Sequence, residues 1–174
     1  MSATCLLRTA TSAAVPRLAH FVNQAYRGEE ARKGWTTEAH LLDGQRIDEA
    51  GLLDMLAAPG ATFLLAQTPE GSLLGSVYLQ ARPDCLYLSM LAVAPARQAQ
   101  GVGKFLLAAA EDHARAQGCG LIRMTVISIR TELLAYYERR GYRRTGATEP
   151  FPTDPRFGIP RQPLELLVLE KVIV

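Results

Sequence analysis

Leu86-Tyr-Leu-Ser-Met-Leu-Ala-Val93 runs through Ala94-Pro-Ala-Arg-Gln98-Ala-Gln-Gly101-Val-Gly103-Lys104 into Phe105-Leu-Leu-Ala-Ala-Ala-Glu-Asp-His-Ala-Arg-Ala-Gln117. A short apolar run, a glycine-bearing loop and a stretch of helical periodicity read as a buried strand, a loop and an amphipathic helix. Glycines at 101 and 103 remove side chains that would keep a ligand from the backbone. The first-turn N–H groups of the helix lack intrahelical partners and carry partial positive charge, which suits a phosphate. Neither common phosphate loop fits. A P-loop requires Ser or Thr where Phe105 follows Lys104, and a dinucleotide loop requires a third glycine where Leu106 stands.

Further along, Thr131-Glu-Leu-Leu-Ala-Tyr136-Tyr137-Glu-Arg-Arg-Gly141-Tyr142 gives a helix that ends at a Gly-aromatic pair opening the next strand. Gln98-x-x-Gly101-x-Gly103, after a strand ending Leu-Ala-Val and a Pro, resembles the pyrophosphate-binding signature of the GNAT superfamily of acyl-CoA-dependent N-acyltransferases. The 131–142 segment resembles that superfamily's fourth helix, with its Tyr near the end. The two motifs stand in the family's order, joined by a Val/Ile-rich strand. The resemblance runs from residue 5 to residue 172, and its specific motifs lie within 86–145. It implies a single α/β (α+β) domain over residues 1–174. The sheet should be mixed and mostly antiparallel, of about seven strands with about four helices, its parallel fourth and fifth strands (86–93 and 121–127) splayed apart.

The bulk numbers agree. A chain of 174 residues, 48% hydrophobic, is the size of one domain able to bury most of its apolar surface. A net charge of +2 is too mild to imply nucleic-acid binding. Cys5, Cys85 and Cys119 are odd in number and lack CxxC spacing, so neither a disulfide framework nor a metal site is expected. With no apolar run long enough for a signal peptide or membrane span, the expected setting is cytoplasmic, without a membrane partner. A homodimer through an edge strand stays open.

Residues 4 to 10 read as a first strand, followed by a helix capped by Thr11 or Ser12 with Val15, Leu18, Ala19 and Val22 on one face. Thr36 or Thr37 is expected to cap a short helix containing Glu38, His40 and Leu41. Another helix should span Asp48 to Ala57. Ala61–Gln67 and Ser72–Leu79 form a hairpin around Thr-Pro-Glu-Gly. The main helix should stop at Gly118, and the crossover makes 86–93 and 121–127 parallel neighbours. Five of the ten prolines fall between Thr145 and Pro163, which reads as an ordered loop before a final strand, Leu164 to Val172.

The resemblance implies acetyl-CoA as cofactor and an N-acetyltransferase moving an acetyl group to a primary amine of a small molecule or peptide, directly in a ternary complex. Main-chain groups of Leu91, Ala92 and Val93 would meet the pantetheine arm, and the loop Gln98, Ala99, Gln100, Gly101, Val102, Gly103 and Lys104 the pyrophosphate. Tyr137 is the candidate catalytic acid, since a phenol of pKa ~10 can protonate a departing thiolate; Tyr136 is the adjacent alternative. Trp35, His40, Ser89 and Arg130 are candidates for the acceptor side. Arg130 stands where the family often places Asn, exchanging a neutral amide for a fixed charge. Leu86 to Val93 contains no Asp or Glu to serve as base, leaving Glu38, His40 and Asp43 as positional candidates, or an amine arriving unprotonated. Arg139, Arg140, Arg143 and Arg144 read either as phosphate-attracting or as a solvated helix end. Two other uses stay open: acylation of protein N-termini or with other acyl groups, and a non-catalytic acyl-CoA sensor.

Overall fold

The computed structural model describes residues 4–27 and 29–174. Strand β1 (Leu6–Thr9) leads through a single 3-10 turn into helix α1 (Val15–Tyr26), whose Val15, Leu18, Ala19, Val22 and Ala25 are buried. Pro16 lies in the first turn of α1, where no N–H is needed. A 3-10 segment (Glu29–Lys33) precedes a short strand β2 (Leu42–Asp43) and helix α2 (Glu49–Ala57). Asp48 caps α2 by accepting the Gly51 N–H at 2.6 Å. Strands β3 (Ala61–Gln67), β4 (Leu73–Ala81) and β5 (Leu86–Val93) form an antiparallel meander. Helix α3 (Val102–Ala116) crosses to β6 (Leu121–Ile127), and α4 (Thr131–Glu138) leads to β7 (Arg143–Pro150), β8 (Ile159–Pro160) and β9 (Glu165–Val172).

Seven strands form one sheet in the order β1-β3-β4-β5-β6-β9-β7, and only β5 and β6 run parallel in it. This is the mixed, mostly antiparallel architecture expected from the sequence. Helices α3 and α4 cover one face, around Leu106, Ala110, Leu134 and Tyr142, while α1 and α2 cover the other, around Leu18, Leu52 and Phe63. Gly75 lets α3 lie directly on the sheet: a Cβ there would stand 2.8 Å from Leu106 and 2.9 Å from the Ala92 carbonyl.

Two expected elements differ. No helix forms around Glu38, His40 and Leu41; the chain makes a turn in which the Thr37 hydroxyl accepts the Ala39 N–H at 3.1 Å, then pairs as β2 with β8. Too few consecutive apolar positions occur there to bury a helix face, and cross-strand pairing satisfies the backbone instead. The segment from Thr145 is not all loop, because β7 continues to Pro150 along β9. A register shift between Arg144 and Thr148 lets this fully exposed edge strand accommodate Gly146, and Pro150 is tolerated at its end.

The decisive irregularity is in β5. Leu86 and Leu88 pack on the α3 side, but Met90 packs on the α1–α2 side, and Leu91 and Val93 return to the α3 side. A bulge opposite Val77 reverses the alternation, with Met90 at φ +51°, a left-handed conformation rare for an unbranched L residue. Beyond it β5 bends away from β6, and the two strands are registered only at Leu86↔Ile122 and Tyr87↔Arg123. Thus they are parallel neighbours at one end and splayed at the other. No helix among the described residues is long and apolar enough to cross a membrane.

Candidate active site

The splay opens the sheet, and a cavity lies on each side of the opening. The first, about 360 Å³, is bounded by the end of β5, the glycine loop, α4 and the Trp35–Glu38 segment. The second, about 370 Å³, runs along β5 and β6 beneath Phe151 and Phe157. Tyr26, Glu38, Leu91, Arg130, Leu133 and Tyr137 line both. Ligands entering from opposite faces of the sheet would therefore meet at these six side chains.

On the first side, Gly101 has φ +88° and precedes α3 with no side chain capping the helix, so the first-turn N–H groups stay available to an anion. Ala99 shares the left-handed backbone at φ +62°, a cost of about 1–2 kcal/mol for a residue with a Cβ. At Gly103 a Cβ would collide with the Tyr136 hydroxyl, so only glycine leaves space at the helix start. Lys104, Arg139 and Arg140 bring positive charge to the same cavity. A backbone cradle without side chains, a bare helix N-terminus and three cations together fit a pyrophosphate.

Trp35 and Tyr136 stack with ring centroids 5.4 Å apart, and the Arg140 guanidinium lies 3.5 Å from the Tyr136 centroid. Gln98 has a second role here. Its Oε1 accepts the Trp35 N–H at 2.9 Å and fills the space where Gly34 would carry a Cβ, fastening the Trp35 segment to the loop.

Tyr137 packs edge-on between Tyr136 and Tyr142, at 5.3 and 5.7 Å, and is 6% exposed. Burial pushes its phenol well above the ordinary tyrosine value, so it keeps its proton throughout the neutral range. Tyr26 is likewise pushed up to about 12, chiefly by burial, and donates to the Leu91 carbonyl at 2.7 Å. That bond holds the bulged stretch of β5 from the α1 side.

Glu38 is a buried carboxylate among arginines. Its Oε1 accepts from Arg27 Nε and Nη2 at 3.0 and 2.8 Å, and its Oε2 lies 3.5 Å from Arg130 Nη1. Arg46 Nε stands 4.0 Å from Oε1. Burial draws the Arg27 guanidinium below its ordinary value, and Glu38 acts in the opposite direction. Arg27 also donates to the Gln45 carbonyl and passes against Gly158, whose missing Cβ leaves it room. Arg130 gives its other donors to Thr36 and approaches Glu132, while its Nε is buried without a hydrogen-bond partner.

Of the residues singled out in the sequence, Leu91, Ala92, Val93, Gln98, Ala99, Gly101, Gly103, Lys104, Trp35, Arg130 and Tyr137 line the first cavity, and Ser89 lines the second. Val102 lies in the core beneath α3, and Gln100 bonds the Ala96 carbonyl at 3.1 Å; neither lines a cavity. The structure does not bring His40 to the site: it is exposed on the turn before β2 and lines neither cavity. Asp43 pairs with Arg161 at 2.7 Å, also away from both. The arginine cluster divides, Arg139 and Arg140 at the first cavity and Arg144 bound to Glu138 on the exposed edge. Tyr26, Arg27 and Arg46 join the site without any signal in the sequence. Tyr26 and Arg27 end a helix whose periodicity reports only its apolar face, and Arg46 follows a turn with no periodicity.

The sequence matches the profile of the acetyltransferase (GNAT) family over residues 20–142. None of the curated proteins matches it. Among solved structures, N-acetyltransferase from Staphylococcus aureus Mu50 superposes with a TM-score of 0.74 at 13% identity, covering 98% of this chain and 99% of that one. The ribosomal-protein-S18-alanine N-acetyltransferase from Escherichia coli gives 0.72 at 16% identity, covering 98% and 94%. The yncA protein from Salmonella typhimurium, solved with its cofactor acetyl-CoA, gives 0.69 at 19% identity, covering 98% and 95%. Such identities speak for the fold alone, whereas the profile spans most of the chain: the protein belongs to the acetyltransferase (GNAT) family.

Proposed function

We propose that this chain transfers an acetyl group from acetyl-CoA to a primary amine, directly and within a ternary complex. The observation that carries the reading is that two cavities, on opposite faces of the sheet, share Tyr137 at the splay. The cradle of Gln98 to Lys104 would hold the pyrophosphate, and the unpaired edge of β5 at Leu91, Ala92 and Val93 the pantetheine amides. Acetyl-CoA supplies an activated thioester. As the nitrogen–carbon bond forms and the carbon–sulfur bond breaks, one proton leaves the amine and one must reach the sulfur. Tyr137, which lines both cavities, would give that proton. Its raised phenol is not a handicap, because the same apolar surroundings penalise a bare thiolate and raise its proton affinity too.

No unpaired carboxylate or imidazole from this chain lines the second cavity among the described residues. The amine is therefore expected to react through the fraction of free base that its own pKa leaves in solution, a larger fraction for an α-amino group near 7.7–8.0 than for an ordinary alkylamine. Cys85 is buried at the entry to β5, 1% exposed, away from the splay, which favours direct transfer over an acyl-cysteine route. The Escherichia coli neighbour is named for a protein alanine acceptor, but a cavity of about 370 Å³ walled by Phe151 and Phe157 suits a small amine better than a peptide chain.

Thermal unfolding with saturating acetyl-CoA tests the first half: at 100 times the dissociation constant, a ligand adds about 2.7 kcal/mol. Thiol release across an amine panel tests the second. No shift at millimolar acetyl-CoA would sink the reading. A shift without thiol release from any amine would leave a sensor of acyl-CoA.

A further inference from the structure

The second cavity carries an unusual charge balance. Its charged lining is Arg27, Arg46, Arg82 and Arg130 against the single carboxylate of Glu38, a surplus of three positive charges (four minus one). Glu132, just outside, offsets one of them at 3.6 Å from Arg130 Nε. Arg27 is committed to Glu38 and the Gln45 carbonyl, and Arg130 to Thr36 and Glu38.

Arg46 and Arg82 are less committed, Arg46 Nε lying 4.0 Å from Glu38 Oε1, at the limit of an ion pair that Glu38 already makes at shorter distance with Arg27. The backbone around Arg46 is fixed, because the Asn23 Oδ1 accepts the N–H groups of Arg46 and Ile47 at 2.7 and 3.2 Å. Its guanidinium donates no hydrogen bond within the described residues; it lies 5.5 Å from the Tyr26 ring, which in turn is bonded to Leu91 at the splay. Arg82 packs 4.0 Å over the Tyr87 ring, bonds only the neutral Gln80 Oε1 at 3.3 and 3.4 Å, and has no carboxylate within ion-pair distance among the described residues. Much of the remaining wall is apolar and aromatic, with Met55, Tyr78, Met90, Met124 and Phe157.

Two consequences follow for a ligand. A simple ammonium would be repelled, and the surplus charge favours the uncharged amine, the form that can attack in the absence of a base. A carboxylate would find the Arg46 guanidinium, its side chain 22% exposed and so held partly out of water, where such bonds are stronger, whereas Arg82 is exposed. We propose that the acceptor is a small amine that also bears a carboxylate on an apolar or aromatic body, the carboxylate being held by Arg46 beside the splay. This rests on the transfer reading above and names its substrate class.

The test is thiol release from acetyl-CoA by the full chain with pairs matched but for the carboxylate, compared per unit of free-base amine so that their different amine pKa values cancel: phenylalanine against phenethylamine, and methionine against 3-(methylthio)propylamine. The carboxylated member of each pair should have a kcat/KM about 10²-fold higher, the size expected for two charged hydrogen bonds in a partly buried site. Arg46→Gln should cut that ratio about tenfold, Arg46→Lys should recover part of it, and Arg82→Gln, at the exposed end of the cavity, should move it less. A ratio near one, a ratio unmoved by Arg46→Gln, or better turnover of a neutral peptide N-terminus overturns the carboxylate assignment while leaving the transferase standing. Acetyl-CoA binding with no release from any member of the pairs overturns it as well. If acetyl-CoA neither shifts unfolding nor yields thiol with any amine, the transfer reading has failed and this inference falls with it.

Discussion

Replacing Glu38 by Gln removes one charge and keeps the shape, so it isolates what that charge does. The side chains of Glu38, Arg27 and Arg130 are 6%, 4% and 7% exposed, so none can turn to water without moving the turn or α1. The amide oxygen of the substituted side chain could still accept from Arg27, but its NH₂ group would face Arg130 Nη1, donor against donor. Two buried guanidiniums then lose their counter-charge, and breaking one side of a buried ion pair costs about 3–5 kcal/mol. For a domain of this size each kcal/mol moves Tm by about 2–4 °C, giving a fall of about 6–20 °C. Differential scanning calorimetry or urea unfolding reads it directly. A compensated variant, Glu38→Leu with Arg27→Met, should regain only the Arg27 share of the loss, because an apolar pair of similar volume needs no counter-charge while Arg130 still lacks its partner. A Tm within about 2 °C of the parent for Glu38→Gln, less than the shift from a single kcal/mol, with unchanged urea slope, would refute the idea that this carboxylate neutralises the arginines, and they would then have to be hydrated through the cavities.

Tyr137→Phe should lower turnover roughly 10²–10⁴-fold with acetyl-CoA affinity nearly intact, measured by thiol release and by thermal shift; equal turnover removes Tyr137 from the mechanism and directs attention to Tyr136. Gly75→Ala inserts a methyl group 2.8 Å from Leu106 and 2.9 Å from the Ala92 carbonyl, and should cost about 1–3 kcal/mol in urea unfolding; no loss would mean that α3 slides freely on the sheet. Burial raises the phenols of Tyr26, Tyr137 and Tyr142 above the unfolded value of about 10, so their contribution to stability is full below pH 10 and is lost as pH rises beyond it. Each adds a slope of about 1.4 kcal/mol per pH unit above pH 10, and Tyr26→Phe should remove one such increment; an unchanged slope would show that Tyr26 ionises as it does when unfolded. Without a base from the chain, the rising limb of the pH–rate profile should follow the pKa of the amine, and a limb that stays fixed while amines are exchanged would reveal an enzymic base.

The strand–loop–helix unit was legible because local chemistry dictates it: a continuous apolar run, glycines needed at φ > 0 and at the Tyr136 approach, and a helix whose apolar residues recur with the turn. The register of α1 and the span of α2 were legible for the same reason, but the expected Thr11 or Ser12 cap is not made: α1 is entered through a 3-10 turn with no side-chain cap. The turn at Glu38 was not, since a Thr before polar and apolar residues suits a capped helix as well as a turn, and only pairing with β8 decides between them. The bulge at Met90 left no mark at all. Methionine has no preference for φ +51°, and the conformation is imposed by Val77 opposite and by the Tyr26 hydroxyl at Leu91. The same holds for Arg46, whose value lies in donating no hydrogen bond among the described residues while lining the cavity, a property of three-dimensional surroundings rather than of spacing.

Because β5 and β6 are joined by register at one end only, the sheet is mechanically two half-sheets, β1-β3-β4-β5 and β6-β9-β7, meeting like the arms of tweezers. In an ordinary sheet, bending between neighbouring strands must stretch a full ladder of hydrogen bonds. Here the ladder stops after Tyr87↔Arg123, so a small rotation about that end changes the opening beside Leu91 and Tyr137 by far more than it strains any bond. The stiffness of the gap is then set by what spans it: α3 packed across on the Gly75 side, the arginines around Glu38, and the Trp35–Tyr136 stack. A bridging ligand would act as one more strut, so the backbone amides of Leu88 to Val93 should exchange hydrogen more slowly when both cavities are filled than the sum of filling each alone.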